Sequence, residues 1–250
     1  MELLKNKTAI ITGAGSGIGE SIALLFAENG AKVVVTDIDE DGGNRVLKAI
    51  LKTGAEAIFV KSNTASFEDN QRVVTEAQRA FGGVHIAVNN AGIGGAQAPI
   101  GEYPLESWDK VIGVNLSGVF YGMRSQIPAM LEAGGGAIIN MASILGQVGF
   151  DYSCAYVAAK HAVVGLTKNA ALEYSAKGIR VNAVGPGFIN TPLLSNNLPQ
   201  EQLDQIAALH PIGRLGKPEE VAELVLWLAS EKASFVCGSY YAIDGGYLAR

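Results

Sequence analysis

Tyr156 and Lys160 stand four residues apart in the run YVAAKHAVVGL, which is compatible with a helix. At that spacing both side chains leave one face of the helix. An unaided phenol has a pKa near ~10 and is a poor base at neutral pH. A neighbouring ammonium stabilises the phenolate and lowers that value, and the phenol could then take a proton from an oxygen or return one. Ser143, thirteen residues earlier in NMAS, could hydrogen-bond an oxygen on which negative charge develops. Taken alone, the tyrosine and lysine read better as an ordinary pair on a helix surface. The chemical reading needs a redox partner to move electrons while the phenol moves the proton.

The stretch TGAGSGIG, residues 12–19, points to that partner. It holds four glycines directly after the apolar run TAIIT. Its spacing misses the G-x-G-x-x-G dinucleotide fingerprint, because Ile18 and Glu20 stand where the third glycine would fall. Glycine still lets backbone amides approach a ligand with no Cβ in the way. A turn between strand and helix aims free N–H groups and the helix dipole at a phosphate. Asp37 ends the next apolar run, 18 residues past Gly19. A carboxylate there accepts hydrogen bonds from both hydroxyls of an adenosine ribose and repels a 2′-phosphate. Neither Ser16 nor Ile38 supplies a compensating cation, so the expected cofactor is NAD(H) rather than NADP(H). The cationic ring of the oxidised nicotinamide would add to the lysine in lowering the phenol.

These residues need a scaffold, and the chain alternates short apolar runs with longer helical patterns. The predicted strands are 8–12, 31–37, 55–60, 84–88, 136–142, 179–184 and 240–244; the predicted helices are 18–28, 42–52, 68–81, 105–131, 155–176 and 219–229. Most strand runs are apolar on successive residues, as strands covered on both faces are. The alternation predicts a single α/β domain over 1–250, a Rossmann-like doubly wound parallel sheet of about seven strands with helices on both faces. A proline-rich stretch at 188–217, with a short helical patch EQLDQIAAL, is expected to be a substrate lid.

The spacing T-G-x-x-x-G-x-G, carried by Thr12, Gly13, Gly17 and Gly19, resembles the short-chain dehydrogenase/reductase family. Other landmarks follow in order: NNAG at 89–92, Asn115 in VNLSGVF, Ser143, Tyr156 and Lys160, PGFINT at 186–191 and DGG at 244–246. The resemblance implies a catalytic set of Asn115, Ser143, Tyr156 and Lys160, in which Asn115 holds a water linking Lys160 to solvent. It implies cofactor contacts from Gly13, Ser16, Gly17, Ile18 and Gly19, from Asp37 and Ile38, and from Asn90, Ala91 and Gly92. Pro186, Gly187, Ile189 and Thr191 would grip the nicotinamide carboxamide, and Tyr156 and Lys160 would reach the nicotinamide ribose. One departure is that Asn63 and Thr64 stand where the family has an aspartate before a hydrophobic residue near the adenine; altered affinity is expected there, not lost binding. Pairing of the long helices implies a homotetramer.

Composition narrows the remaining classes. The chain has 250 residues and a net charge of −5, so no basic field draws in nucleic acid or anionic lipid. No apolar run approaches the ~18 residues of a membrane span, and no basic-then-apolar leader precedes the first strand. The expectation is a cytoplasmic protein. Cys154 and Cys237 offer neither a disulfide framework nor metal spacing, and no metal is expected; His85, His161 and His210 fit no triad. The substrate pocket is expected between 94–99, 144–152 and the lid, lined by Gly94, Leu145, Val148, Phe150, Tyr152, Leu193, Leu194 and Leu198. A largely apolar pocket around one polar cluster suits a neutral ketone or secondary alcohol. The leading expectation is an NAD(H)-dependent carbonyl reductase or alcohol dehydrogenase. The alternatives are a 3-oxoacyl-carrier-protein reductase and a nucleotide-sensing protein without catalysis.

Overall fold

A computed structural model describes residues 2–195 and 199–249. Seven strands, β1 (Thr8–Thr12), β2 (Lys32–Asp37), β3 (Ala57–Lys61), β4 (Ile86–Asn89), β5 (Gly136–Met141), β6 (Ile179–Pro186) and β7 (Tyr240–Ile243), form one sheet of order 3-2-1-4-5-6-7. Every neighbouring pair is parallel. The strand order reverses between β1 and β4, and a ligand crevice opens at such a switch point, at the carboxyl ends of the strands.

The unbroken apolar runs follow from the pleat. Successive residues of a strand face opposite sides of the sheet. Ile11, Val33, Val35 and Ile139 pack on one side with Ile22 and Phe26 of α1 (Gly17–Glu28) and Val225 of α9 (Pro218–Ala229). Their neighbours Ile10, Val34 and Ile138 pack on the other side. There they meet Val73 of α3 (Phe67–Phe81), Met130 of α5 (Gly118–Glu132) and Val163 of α6 (Cys154–Tyr174). On the first side, α2 (Glu40–Lys52) contributes Val46 and Ile50. Local signals set the helix ends. Asp39 accepts from Asp41 N at the start of α2, Ser66 accepts from Asp69 N at the start of α3, and Gly82 closes α3 at φ 84°. Each such N-cap contributes about 1 kcal/mol.

Strand and helix ends differ from the sequence expectation by a residue or two; among them, β6 runs two residues further, to Pro186, carrying its end to the start of PGFINT. The long helix expected at 105–131 is a correction. It is α4 (Leu105–Ile112), a widened π-type turn (Gly113–Ser117) and α5. The periodicity continues through the break, so the pattern did not reveal it; single π turns inside helices mark functional positions. The segment 188–217 closes on itself at its base: Asn190 N donates to Gly216 O and Gly216 N to Phe188 O. It carries the short α7 (Pro192–Ser195) and α8 (Gln200–Ala208). Leu198 lies outside the described residues. No helix among the described residues is long and apolar enough to cross a membrane.

Candidate active site

Lys160 is 3% exposed, on the buried face of α6. Its Nζ donates to Met141 O at the end of β5, 2.7 Å away, and lies 5.4 Å from the centroid of the Tyr156 ring. Loss of water around the ammonium brings its pKa from 10.5 down to about 8. Tyr156 is half-buried. Its packed surroundings push the phenol above its ordinary 10, and a hydrogen bond with Ser143 pulls the other way. The expected lowering of the phenol calls on Lys160 together with the charge of an oxidised nicotinamide. In the protein alone, desolvation outweighs the bond with Ser143.

Ser143 begins the turn after β5. Its Oγ accepts from Leu145 N at 3.1 Å, and its carbonyl accepts from the Tyr240 hydroxyl of β7 at 2.9 Å. Burial, with Asp244 nearby, pushes the Tyr240 phenol up to about 12, so it stays a donor at any working pH. Asn115 sits in the π-type turn and is fully buried. Its Oδ1 accepts from Ile93 N and its Nδ2 donates to Ile93 O, both at 2.8 Å. A Cβ added to Gly92 would stand 3.3 Å from Asn115 Oδ1 and 3.7 Å from Lys160 Nζ. Asn115, Ser143, Tyr156 and Lys160, spread over 46 positions of sequence, thus meet at the carboxyl ends of β4 and β5.

The glycine turn lies along the same edge. Thr12 Oγ1 accepts from Asn90 N and Ala91 N, and Asn90 Nδ2 donates to the carbonyls of Thr12 and Gly13. The NNAG segment is therefore stitched to the turn by its own side chain. A Cβ at Gly13 would come within 2.9 Å of Ala91 Cα, and one at Gly19 would overlap the Gly13 carbonyl. A Cβ at Gly17 would stand 3.2 Å from Thr191 Cγ2, which places the turn against the end of PGFINT. Asp37 holds the far end: Oδ2 accepts from Gly15 N at 2.8 Å and Oδ1 from Asp39 N at 2.9 Å. Ser16 and Ile38 are exposed beside it, and Ile18 is half-buried in the first turn of α1. A bare backbone cradle ending in a carboxylate fits an adenine dinucleotide lying from Asp37 to Lys160.

Two expectations need amendment. The absence of a compensating cation near the turn holds for Ser16 and Ile38 but not in space: Arg45 of α2 donates from Nη2 to Gly15 O at 2.9 Å. Asn63 spends its Oδ1 on Ala65 N in a local turn, while Thr64 gives its carbonyl to Asn70 Nδ2. The adenine contact expected of this pair would be left to the side-chain Nδ2 of Asn63, whose backbone N donates to Asp69 Oδ2, and to the Thr64 side chain.

On the substrate side, Gln97, Gly149, Phe150, Asp151 and Tyr152 line an open cavity of about 440 Å³. Tyr152 adopts φ 62°, rare for a bulky residue, with its carbonyl held by Ala98 N. Leu145 is buried, whereas Leu193 and Tyr152 are more than half exposed. Gly94 lies on the exposed loop after Ile93, and Leu194 is half-buried in α7. Sequence reasoning missed an aromatic cluster behind them: Phe188 stacks near Phe150, His210 and Tyr247 at 5.7, 5.8 and 6.0 Å between centroids. His210 accepts from Phe188 N through Nε2 and bonds Ile206 O through Nδ1, tying α8 to PGFINT. His161 instead sits exposed, bonded to Val157 O of its own helix.

A phenol, an ammonium and a serine gather at the switch point of such a sheet, one cradle away from Asp37. The chain belongs to the short-chain dehydrogenase/reductase family, whose members use a nicotinamide cofactor; a family model described as enoyl-(acyl carrier protein) reductase matches residues 13–248. It is 51% identical to a cyclohexanol dehydrogenase of Acinetobacter sp. (strain SE19), over 98% of this chain and 96% of that one. It is 44% identical to a cis-4-hydroxycyclohexanecarboxylate dehydrogenase of Sinomonas cyclohexanicum, over 99% of each. The solved structure of a levodione reductase superposes with a TM-score of 0.96 at 36% identity, covering 98% of this chain and 99% of that one.

Proposed function

We propose that the protein is an oxidoreductase that interconverts a neutral cyclic secondary alcohol of the cyclohexanol type and its ketone, with NAD(H) as cofactor. The observation that carries the reaction is the convergence of Ser143, Tyr156 and buried Lys160 at the carboxyl edge of β5. The relatives' substrates and the aromatic and apolar walls around Phe150 and Phe188 support the ring-shaped substrate.

In oxidation, Tyr156 as the phenolate takes the alcohol proton while the carbon gives up a hydride; in reduction the neutral phenol returns a proton to the carbonyl oxygen. The bound nicotinamide supplies the hydride acceptor or donor, and its cationic oxidised form lowers the phenol that burial has raised. Ser143 donates to the substrate oxygen and holds it within reach of Tyr156. Lys160 places positive charge beneath the ring and hands the proton onward. Any relay water on Asn115 shares that residue with the Ile93 backbone.

A 3-oxoacyl-carrier-protein reductase would share the four catalytic residues. The net charge of −5 and Asp37 weigh against it, since an acidic carrier needs a basic docking face. A sensor without catalysis would have no use for an intact tyrosine–lysine pair. Turnover of cyclohexanone or cyclohexanol, followed by nicotinamide absorbance, separates these readings; no turnover with any cyclic ketone or alcohol would overturn the proposal.

Asp37→Ala removes the acceptor of the ribose hydroxyls and frees the N–H groups of Gly15 and Asp39 to face an anion. The preference for NADH over NADPH should fall about 10- to 100-fold, the size of one hydrogen bond to a charged group. An unchanged ratio of binding constants would refute the assignment of Asp37.

The assembly proposed is a homotetramer. Apolar side chains stand exposed on α4, α5 and α6, among them Leu105 (81%), Phe120 (47%) and Leu172 (87%), and Phe235 is fully exposed beyond α9. Burying such side chains against another copy would remove them from water. Light scattering should return a mass near four times 26.1 kDa; the monomer mass would contradict it.

A further inference from the structure

The cation that approaches the glycine turn is already occupied. Arg45 reaches Gly15 O with Nη2 and at the same time pairs with Glu20 of α1, Nη1 to Oε1 at 2.5 Å and Nη2 to Oε2 at 2.7 Å. Gly15 is thus gripped at both ends of one residue: Asp37 takes its N–H and Arg45 takes its carbonyl. The approach is close because the first turn of α2 carries paired glycines, Gly42 and Gly43. A Cβ at Gly42 would come within 3.0 Å of Gly15 O, and one at Gly15 within 3.1 Å of Gly43 N. The arginine side chain is 57% exposed and Glu20 23%. An exposed ion pair of this kind adds little to stability, so its consequence lies in where it holds the guanidinium.

We infer that Glu20 and Arg45 act with Asp37 as a three-residue determinant of cofactor choice: Glu20 holds Arg45 on the Gly15 carbonyl and so withholds it from a 2′-phosphate. This rests on the reading that Asp37 faces the adenosine ribose. A phosphate placed there would meet the carboxylate of Asp37 on one side of Gly15 and, on the other, a guanidinium whose charge Glu20 cancels. Arginine binds phosphate with paired N–H groups when it is free to do so. Here one carboxylate and one carbonyl take three of its five N–H donors. Asp39, whose N–H is bonded to Asp37 Oδ1, keeps one further negative charge nearby and limits how far the choice can swing. Glu20 is a positioning residue in this account, acting through Arg45, and removing Asp37 alone leaves the guanidinium where it is.

The test is equilibrium binding of NADH and of NADPH, read from quenching of tryptophan fluorescence, to the intact protein and to Asp37→Ala, Asp37→Ala/Glu20→Gln and Asp37→Ala/Glu20→Gln/Arg45→Ala. Glutamine keeps the length of Glu20 and its capacity to touch Arg45, and a thermal melt of each variant checks that the fold is kept. Adding Glu20→Gln to Asp37→Ala should tighten NADPH about tenfold more, with NADH little changed, and Arg45→Ala should erase that gain. A double variant that binds NADPH no better than Asp37→Ala overturns the inference, as does a gain that survives loss of Arg45. A NADH/NADPH ratio unmoved by Asp37→Ala overturns the reading of Asp37 itself, so the two failures are told apart by which arm is flat.

Discussion

Tyr156→Phe is expected to fold, to bind NADH as tightly as the parent, and to lose turnover about a thousandfold, within the ~10²–10⁴ that a positioned acid–base group supplies. The substitution removes one oxygen. The ring keeps its place over Lys160, whose Nζ lies 5.4 Å from the ring centroid, and the backbone cradle at residues 13–19 is untouched. What disappears is the atom bonded to Ser143. Ser143 can still bind a substrate oxygen, so the Michaelis constant should change far less than kcat. A loss confined to binding, with kcat kept, would mean that the hydroxyl holds the substrate but moves no proton.

Lys160→Met should separate activity from stability. The folded ammonium has a pKa of about 8 against 10.5 in the unfolded chain, through burial. Between those values the unfolded chain holds more protons than the folded one, so stability rises with pH. Below pH 8 the penalty is present in full, about 3 kcal/mol from 1.36 kcal/mol per unit; it fades as pH climbs toward 10.5. Methionine carries no charge to bury and fills similar space, at the cost of the bond to the Met141 carbonyl, about 1–3 kcal/mol. The variant should therefore melt near the parent temperature or above it at pH 7, lose the rise in stability between pH 8 and 10, and fall at least a hundredfold in kcat. Above pH 10 the raised phenols Tyr156 and Tyr240 pull stability the other way, which confines the comparison to that window. A strongly destabilised variant at pH 7 would mean that the lysine is held by interactions stronger than its burial cost.

The parts of the site legible in the sequence are those fixed by backbone geometry or by helical spacing. Gly13 and Gly17 announce themselves because φ values of 63° and 55° and close approach leave no room for a side chain. Tyr156 and Lys160 do so because four residues of helix bring them together. The strands were readable because both faces of the sheet are covered, which removes polar residues from their middles. What escaped depends on contacts between distant segments. Tyr240 steadies Ser143 across 97 positions, and Arg45 reaches Gly15 across 30; no local pattern marks either. The π-type turn at Asn115 was hidden because one extra residue per turn barely disturbs an apolar stripe. His210 was set aside for lack of a triad, although its two ring nitrogens join α8 to PGFINT.

The central claim is that the Tyr156 oxygen exchanges a proton with an alcohol oxygen while the adjoining carbon exchanges a hydride with the nicotinamide. The most direct measurement is a rapid-mixing experiment with saturating NAD⁺ and cyclohexanol, either unlabelled or deuterated at the carbinol carbon, in the parent protein and in Tyr156→Phe. The parent should form reduced nicotinamide, more slowly with the deuterated alcohol, and the variant should form almost none at equal cofactor occupancy. Reduced nicotinamide appearing at the parental rate in Tyr156→Phe would contradict the account.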